Sequence, residues 1–480
     1  MSATPFVHTP IEEISVIHAK LRKTFDAGVT RPLEWRRKQL QQYILMMQEN
    51  KKAIEHALWL DLRKPAVESA AVEVGGLIAN ANLTLNSLED WTAPTKPWVA
   101  PHHANWGAAI HQAPKGLVTI IAPWNYPFVL TLKPFIGAIA AGCTVVLKPS
   151  EISANSAALM AEMIPKYLDQ SAFAVVNGGV PETTALLSFR WDHIMYTGGT
   201  AVGRIVATAA AKYVTPITLE LGSKCPVFID SGYDLDLAAK RLIWGKAQNA
   251  GQLCVSPDYT LVLRSVYPQF LDALKRVFDA FWPEGALAPD SQWGKIVNQQ
   301  HADRLLKLLD NTNGKIVLGG RHERLPDGVR IEPTIVVDVG VDDALMADEI
   351  FGPIHPILPV DTLDEAIAII RSLPKTLSVA AFTNSDETKK KLLEQTDSGS
   401  LQFGETVTVL GTDELPFGGR GDSGYGTWQG WWSFKTFANE RLLLDIPPSE
   451  EAAFEGRYLP YSQAAYEAVS ALSFPSGSTA

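Results

Sequence analysis

Cys254, in the segment NAGQLCVSP, is the residue whose type and setting best suit covalent chemistry. Most cysteines are small buried hydrophobes. Cys143 in AAGCTVVL and Cys225 in SKCPVF, each leading into an apolar run, read that way. Cys254 reads less well as core, because the Gly-Gln pair ahead of it lets a ligand approach the backbone closely. A thiolate nucleophile also needs a base to process its acyl intermediate. Glu220 closes the run PITLELG and is the candidate, since strand C-termini of an open parallel sheet are where ligands gather; taken alone, a glutamate at a strand end is usually just solvated. YTGGTAVGR sets Gly198, Gly199 and Gly203 between a strand and a helix. That is close to a dinucleotide-binding turn but departs from GxGxxG. Lys148 and Glu151 in LKPSE end another strand, as ribose-binding residues often do, or form a plain polar turn.

The elements that must position these residues are α/β in pattern. Short β-branched runs (LVTIIAP, CTVVLKPS, FAVVNGG, DHIMYTGG, PITLELG) alternate with helical segments such as SANSAALMAEMIPKYL and TAVGRIVATAAAKY. This alternation predicts a parallel, doubly wound sheet. A second alternating stretch runs from about Asp234 to Gly404, with strands TLVLR, IEPTIVVDV and LSVAAFTN and the helix LDEAIAIIRSL. Two α/β lobes with a cleft between them are expected. The first hundred residues read as helices. Ile14, Ile17, Leu21 and Phe25 share one face, with Gly28 as the stop. A second helix is expected from Pro32, in its first turn, through LEWRRKQLQQYILMMQENKKAIEHALWL. TAPTKPWVAPHHANWGAAIHQAP is expected to leave the main body as an extended excursion or hairpin, and SFPSGSTA to be a frayed end.

The whole chain sets outer bounds. Its 480 residues exceed what one hydrophobic core usually organises. A formal net charge of -10, with no run of five or six Lys/Arg, argues against nucleic acid and anionic membrane surfaces as partners. The three cysteines have no paired metal spacing, so no metal site is expected, and they are too few for a disulfide framework. A reducing compartment follows. The start, MSATPFVHTPIEE, is acidic and lacks the apolar core of a secretory signal. The longest apolar run, Phe135 to Leu147, is too short to span a bilayer.

Taken together, the motifs resemble the aldehyde dehydrogenases. APWNYP, VVLKPSE, YTGGTAVG, LELGSK, GQLC, EIFGP and LPFGGRGDSGYG follow one another in order, and the resemblance extends from the N-terminal helices to about Tyr461. NYPF, GGVPETT, AAAKYVTPITLELG, GQLCVSPDY and RYLPY look most like the class 3 branch of fatty and aromatic aldehyde dehydrogenases. The resemblance implies a Rossmann-type cofactor domain (1–96 and 113–221), a catalytic domain (222–404), a small β bridging and oligomerisation arm (97–112 and 405–446) and a tail (447–480). It implies Cys254 as nucleophile, Glu220 as general base and Asn125 of PWNYP as oxyanion donor; a preorganised donor of that kind typically contributes about 3–4 kcal/mol. For NAD, with NADP also used, it implies Lys148 and Glu151 at the adenosine ribose. The turn Gly198, Gly199, Thr200 and Gly203 would meet the pyrophosphate at a helix N-terminus, with Leu221 nearby. Glu349 and Phe351 of EIFGP would lie at the nicotinamide ribose and ring.

By the same resemblance an apolar aldehyde (medium- or long-chain aliphatic, aromatic or isoprenoid-derived) would pass Tyr126, Leu130, Trp244, Leu253 and Phe417, with Trp428, Trp431 or Trp432 near the mouth. A homodimer is implied, and a cytoplasmic address, or membrane association through an anchor beyond this chain. Two departures stand out. ELGSK has Ser223 where the family has glycine, which would cost about 1–2 kcal/mol if that position needs positive φ. Gly199 stands where Ser or Asn is common. Both are read as perturbations of cofactor fit. Two rival readings are a CoA-acylating enzyme, against which Glu220 argues, and a non-catalytic relative that kept the fold.

Overall fold

The computed structural model describes residues 4–473; the first three residues and Phe474–Ala480, most of the expected frayed end, lie outside them. The chain separates into two compact units, Met1–Glu89 with Pro114–Ala438, and Asp90–Ala113 with Asn439–Ala480.

The first unit holds two large sheets and a short antiparallel pair, His322–Leu325 with Gly328–Ile331. Runs such as LVTII and TVVLK are buried along their whole length, as suits strands covered on both faces. Six strands lie side by side in the order Gly424–Tyr425, Ile217–Leu221, His193–Gly198, Leu117–Ile121, Thr144–Lys148 and Phe173–Val175. All neighbours are parallel except the short Gly424–Tyr425 edge. From Leu117–Ile121 the chain steps outward to Phe173–Val175, then returns to the other side of its starting strand. That reversal opens a crevice at the C-terminal ends of Leu117–Ile121 and His193–Gly198, where open parallel sheets take ligands. The second sheet has seven strands in the order Ser398–Phe403, Thr376–Phe382, Pro226–Ile229, Tyr259–Leu263, Ile354–Val360, Thr334–Val337 and Lys315–Leu318, parallel but for the last. Its strands and flanking helices share one core containing Phe228, Leu261, Phe270, Ile357 and Phe382. Both expected doubly wound sheets are therefore present.

The N-terminal helices need one correction. The single helix expected after Pro32 is two, Leu33–Glu49 and Lys51–Leu62. Asn50 departs from helical geometry, and its side-chain amide donates to the Met46 carbonyl at 2.8 Å, competing with the helical ladder. Pro32 is the residue before the first turn rather than within it. Further on, Ser69–Gly75 winds as a π-helix, a geometry often found at functional sites. It leads directly into the helix Gly76–Thr92.

The second unit is small. Strand Ala109–Pro114 pairs with Ala438–Leu443 across its boundary residues, Thr95 bridges Ile110, and Trp106 packs 5.4 Å from Phe454. Residues 405–438 belong to the first unit. Among the described residues no helix is long and apolar enough to cross a membrane.

Candidate active site

The loop bearing Cys254 is forced into shape before the cysteine is reached. Helix Leu235–Ala247 starts on the Asp234 side chain, which accepts from Leu237 N–H, and ends at Gln248. Asn249, Ala250 and Gly251 then take left-handed backbone with φ of 52°, 53° and 74°. Left-handed backbone costs a non-glycine residue about 1–2 kcal/mol, so the neighbours must hold this turn. Glu68 accepts from Asn249 N–H at 2.9 Å, and the Asn249 side chain donates to the carbonyls of Asn125 and Gln252. At Gly251 no side chain is tolerated, because a Cβ would drive into the Gly352 carbonyl oxygen of EIFGP. Gln252 ties down the far side, donating to the Asn249 and Lys295 carbonyls and accepting from Val297 N–H.

Cys254 emerges as the one cysteine of the three that is not buried. Its surroundings are nonetheless apolar and negatively charged, and desolvation first, then Glu349, Cys225 and Glu220, hold its thiol well above the ordinary range. Burial pushes Cys143 and Cys225 up to about 11. The Cys225 thiol donates to the Cys254 carbonyl at 3.3 Å.

Glu220 lies within Ile217–Leu221, 3% exposed. Neither carboxylate oxygen has a hydrogen-bond partner among the described residues. Burial raises its pKa well above the usual carboxylate value; the nearby Gly419 N–H and Trp428 indole oppose this only weakly, since neither makes a hydrogen bond of good geometry to it. Asn125 follows the strand Leu117–Ile121 and is buried; its side-chain amide donates to the Gln252 carbonyl at 3.1 Å.

A buried ion pair that the sequence did not signal underlies Asn125. Lys64 Nζ meets Glu73 at 2.6 Å with both side chains 0% exposed. Lys64 also donates to the Asn125 carbonyl and sits 3.7 Å from the Tyr126 ring centroid. The other Glu73 oxygen accepts from Phe128 and Val129 N–H, the free donors opening helix Pro127–Ala141. The pair thus fixes the peptide carrying Asn125 to the start of that helix.

One cavity of about 930 Å³ gathers most of the expected site. Cys254, Glu220 and Asn125 line it, together with Gly198, Gly199, Thr200, Leu221, Glu349 and Phe351 of the expected cofactor site and Tyr126, Leu130, Trp244, Leu253, Phe417 and Trp428 of the expected substrate passage. Trp431 and Trp432 are not in the lining, nor are Lys148, Glu151 and Gly203. Lys148 and Glu151 pair with each other at 3.3 Å beyond the strand Thr144–Lys148. Gly203 acts by packing: a Cβ there would lie 2.6 Å from Leu221 Cδ2, so glycine lets helix Thr200–Ala211 lie against Ile217–Leu221. Trp124, His301 and Arg304 also line the cavity; Trp124 falls within APWNYP, while His301 and Arg304 had no sequence signal.

The cofactor features fit a dinucleotide. Helix Thr200–Ala211 presents its N-terminus with no side-chain cap, and a Cβ at Gly199 would meet no described atom within 4 Å. That leaves an open cradle of backbone donors suited to a pyrophosphate. Ser223 is not among the residues with positive φ, so the strain considered for it does not arise; its hydroxyl accepts from Leu377 N–H at 2.8 Å.

A partly exposed thiol, a desolvated carboxyl and a buried amide line one cavity, beside an open helix N-terminus at the switch point of a doubly wound sheet, where a dinucleotide fits. Residues 10–442 match the Aldehyde dehydrogenase family. The chain is 42% identical to the dimeric NADP-preferring aldehyde dehydrogenase of Mus musculus, over 94% of this chain and 98% of that protein. It is 41% identical to aldehyde dehydrogenase family 3 member H1 of Arabidopsis thaliana, over 96% of this chain and 95% of that one. The substrate-bound Staphylococcus aureus AldH structure matches with a TM-score of 0.92 and 34% identity, covering 97% of this chain and 100% of that one. The chain belongs to the aldehyde dehydrogenase family, oxidoreductases acting on aldehydes, and its relatives carry family 3 names, in keeping with the class 3 resemblance.

Proposed function

We propose that this protein oxidises an apolar aldehyde to its carboxylic acid with NAD or NADP, through a thioester on Cys254. The observation that carries the reading is the meeting of Cys254, Glu220 and Asn125 on one largely apolar cavity. The Cys254 thiol gives up its proton to the Glu220 carboxylate, which passes it to solvent; the sulfur adds to the aldehyde carbon, and the carbonyl oxygen becomes an oxyanion. Of the two Asn125 amide N–H groups one is held by Gln252; the other, with Cys254 N–H, is free to donate to that oxyanion. The nicotinamide, when bound, supplies the hydride acceptor that turns the adduct into a thioester. Glu220 takes a proton from water as the water oxygen attacks the thioester carbon, the C–S bond breaks, and the acid leaves. A raised pKa suits this role, because the carboxylate, once ionised, is a stronger base.

Lys148 and Glu151 would hold the adenosine ribose, the Gly198–Thr200 turn the pyrophosphate, and Glu349 and Phe351 the nicotinamide end. The sheet 117–221 would then be the cofactor domain and the sheet 226–403 the catalytic domain. The second unit would serve dimer formation. In favour are its apolar surface residues, Trp98 at 87%, Leu459 at 76% and Leu442 at 67% exposure, more than solvent alone explains. Three free cysteines suit a reducing, cytoplasmic setting. The test is a panel of hexanal, decanal, hexadecanal, benzaldehyde, cinnamaldehyde and retinal with each cofactor, on wild type and on Cys254→Ala, Cys225→Ala and Cys143→Ala. Only Cys254→Ala is expected to be inactive while still binding cofactor. An active Cys254→Ala would end the proposal.

A further inference from the structure

The cavity is not apolar throughout. Tyr126, Leu130 and Lys133 fall on one face of the helix Pro127–Ala141 and its entry, and all three line the cavity. Lys133 lies two turns, about 10 Å of helix rise, beyond Tyr126 and so beyond the Asn125 end. Its ammonium pairs with Asp413 at 2.5 Å, with side chains only 7% and 13% exposed, and donates to the Leu410 carbonyl at 3.0 Å. An ammonium has three N–H donors. The third has no hydrogen-bond partner among the described residues; the Trp428 ring centroid lies 5.9 Å from the ammonium, and the same cavity is lined by Leu77, Val407, Leu410 and Phe417 together with Thr408 and Thr412. A buried donor without a partner costs free energy unless something in the cavity accepts from it.

We propose that Lys133 selects aldehydes carrying a neutral oxygen, a hydroxyl or carbonyl, at the end of the chain remote from the reacting carbon. The preference for a neutral acceptor follows from charge. Asp413 already balances the ammonium and Glu414 adds a further negative charge nearby, so an incoming carboxylate meets repulsion where a hydroxyl does not. The proposal rests on the reading that aldehydes bind with their carbonyl at Cys254. The competing role is a plain latch, in which the pair only ties the helix to the 408–413 segment.

The test compares octanal, decanal and dodecanal with their ω-hydroxy counterparts, taking the ratio of kcat/KM within each pair. In wild type the ratio is expected to reach about tenfold at one chain length, the size of a charge-assisted hydrogen bond. In Lys133→Met it should fall to about one. That variant leaves Asp413 buried and unpaired and can fail to fold, so the double variant Lys133→Met/Asp413→Leu, which removes both charges, is measured beside it. The same collapse is expected there. A wild-type ratio near one at every length, or a ratio unchanged in either variant, would overturn the proposal. A latch would lower both members of each pair alike and leave the ratio intact. If wild type oxidised none of the six aldehydes, the proposed function itself would fall. Oxidation without discrimination would overturn only the role of Lys133.

Discussion

Replacing Lys64 with Met would leave Glu73 charged and buried without its counter-ion. The two side chains are 0% exposed and 2.6 Å apart, so water cannot take the place of the lost partner. Breaking a buried pair from one side typically costs about 3–5 kcal/mol. Glu73 would keep two backbone donors, Phe128 and Val129 N–H, which places the loss toward the lower end of that range. The Asn125 carbonyl would lose one of its two donors and keep Asn249 at 2.8 Å. A displacement of Asn125 by about 1 Å is enough to lower turnover by about 10²-fold. Urea unfolding should therefore show Lys64→Met about 3 kcal/mol less stable. The folded variant should show a kcat reduced far more than its cofactor affinity, since Lys64 touches neither the Gly198 turn nor Glu349. Lys64→Met/Glu73→Leu should regain part of the stability but not the turnover, because the helix N-terminus is left without its acceptor. A Lys64→Met protein within about 1 kcal/mol of wild type, with unchanged kcat, would refute the claim that this pair fixes Asn125.

Gly251→Ala adds a Cβ at φ 74° against the Gly352 carbonyl, so both thermal stability and activity should fall; a fully active alanine variant would show that the loop has other ways to present Cys254. Glu151→Gln should raise the NADP-to-NAD ratio of kcat/KM, since a carboxylate beside the ribose repels a 2′-phosphate; an unmoved ratio would take Glu151 out of the ribose site. Deacylation should speed up with pH through an inflection above the ordinary carboxylate pKa of about 4.3, because Glu220 is raised by burial and acts only when ionised. The same raised group adds stability below its unfolded pKa that is lost as pH passes its folded pKa, so a rate inflection at or below the ordinary value would contradict the burial argument.

Both sheets were legible because their strands are β-branched runs separated by helical periodicity, and Leu117–Ile121, Thr144–Lys148 and His193–Gly198 lie where LVTIIAP, CTVVLKPS and DHIMYTGG put them. The break at Asn50 was not, since a side chain that bonds back to Met46 leaves no trace in an otherwise continuous helical pattern. The residues expected around Cys254 were legible through motifs, and Gly251 has a plain physical reason in its contact with EIFGP. The residues that support them were not. Lys64 lies in the connection after the helix Lys51–Leu62 and Glu73 on the π-helix Ser69–Gly75, so no helical period links the two. Lys133 and its partner Asp413 are far apart along the chain, so nothing in the sequence links them.

The central claim, that Cys254 carries an acyl group which Glu220 releases, is tested most directly by single-turnover chemistry on Glu220→Gln. A general base contributes about 10²- to 10⁴-fold to the step it serves. Rapid mixing with decanal and NAD should give a burst of NADH approaching one equivalent per active site, then a slow steady rate. Mass spectrometry of the quenched protein should find a decanoyl group on the peptide containing Cys254. Because Glu220 also faces the thiol electrostatically, the burst should be followed up to a pH near that of free thiol ionisation, about 8.5. Steady turnover at the wild-type rate, or an acyl group on any residue other than Cys254, would contradict the account.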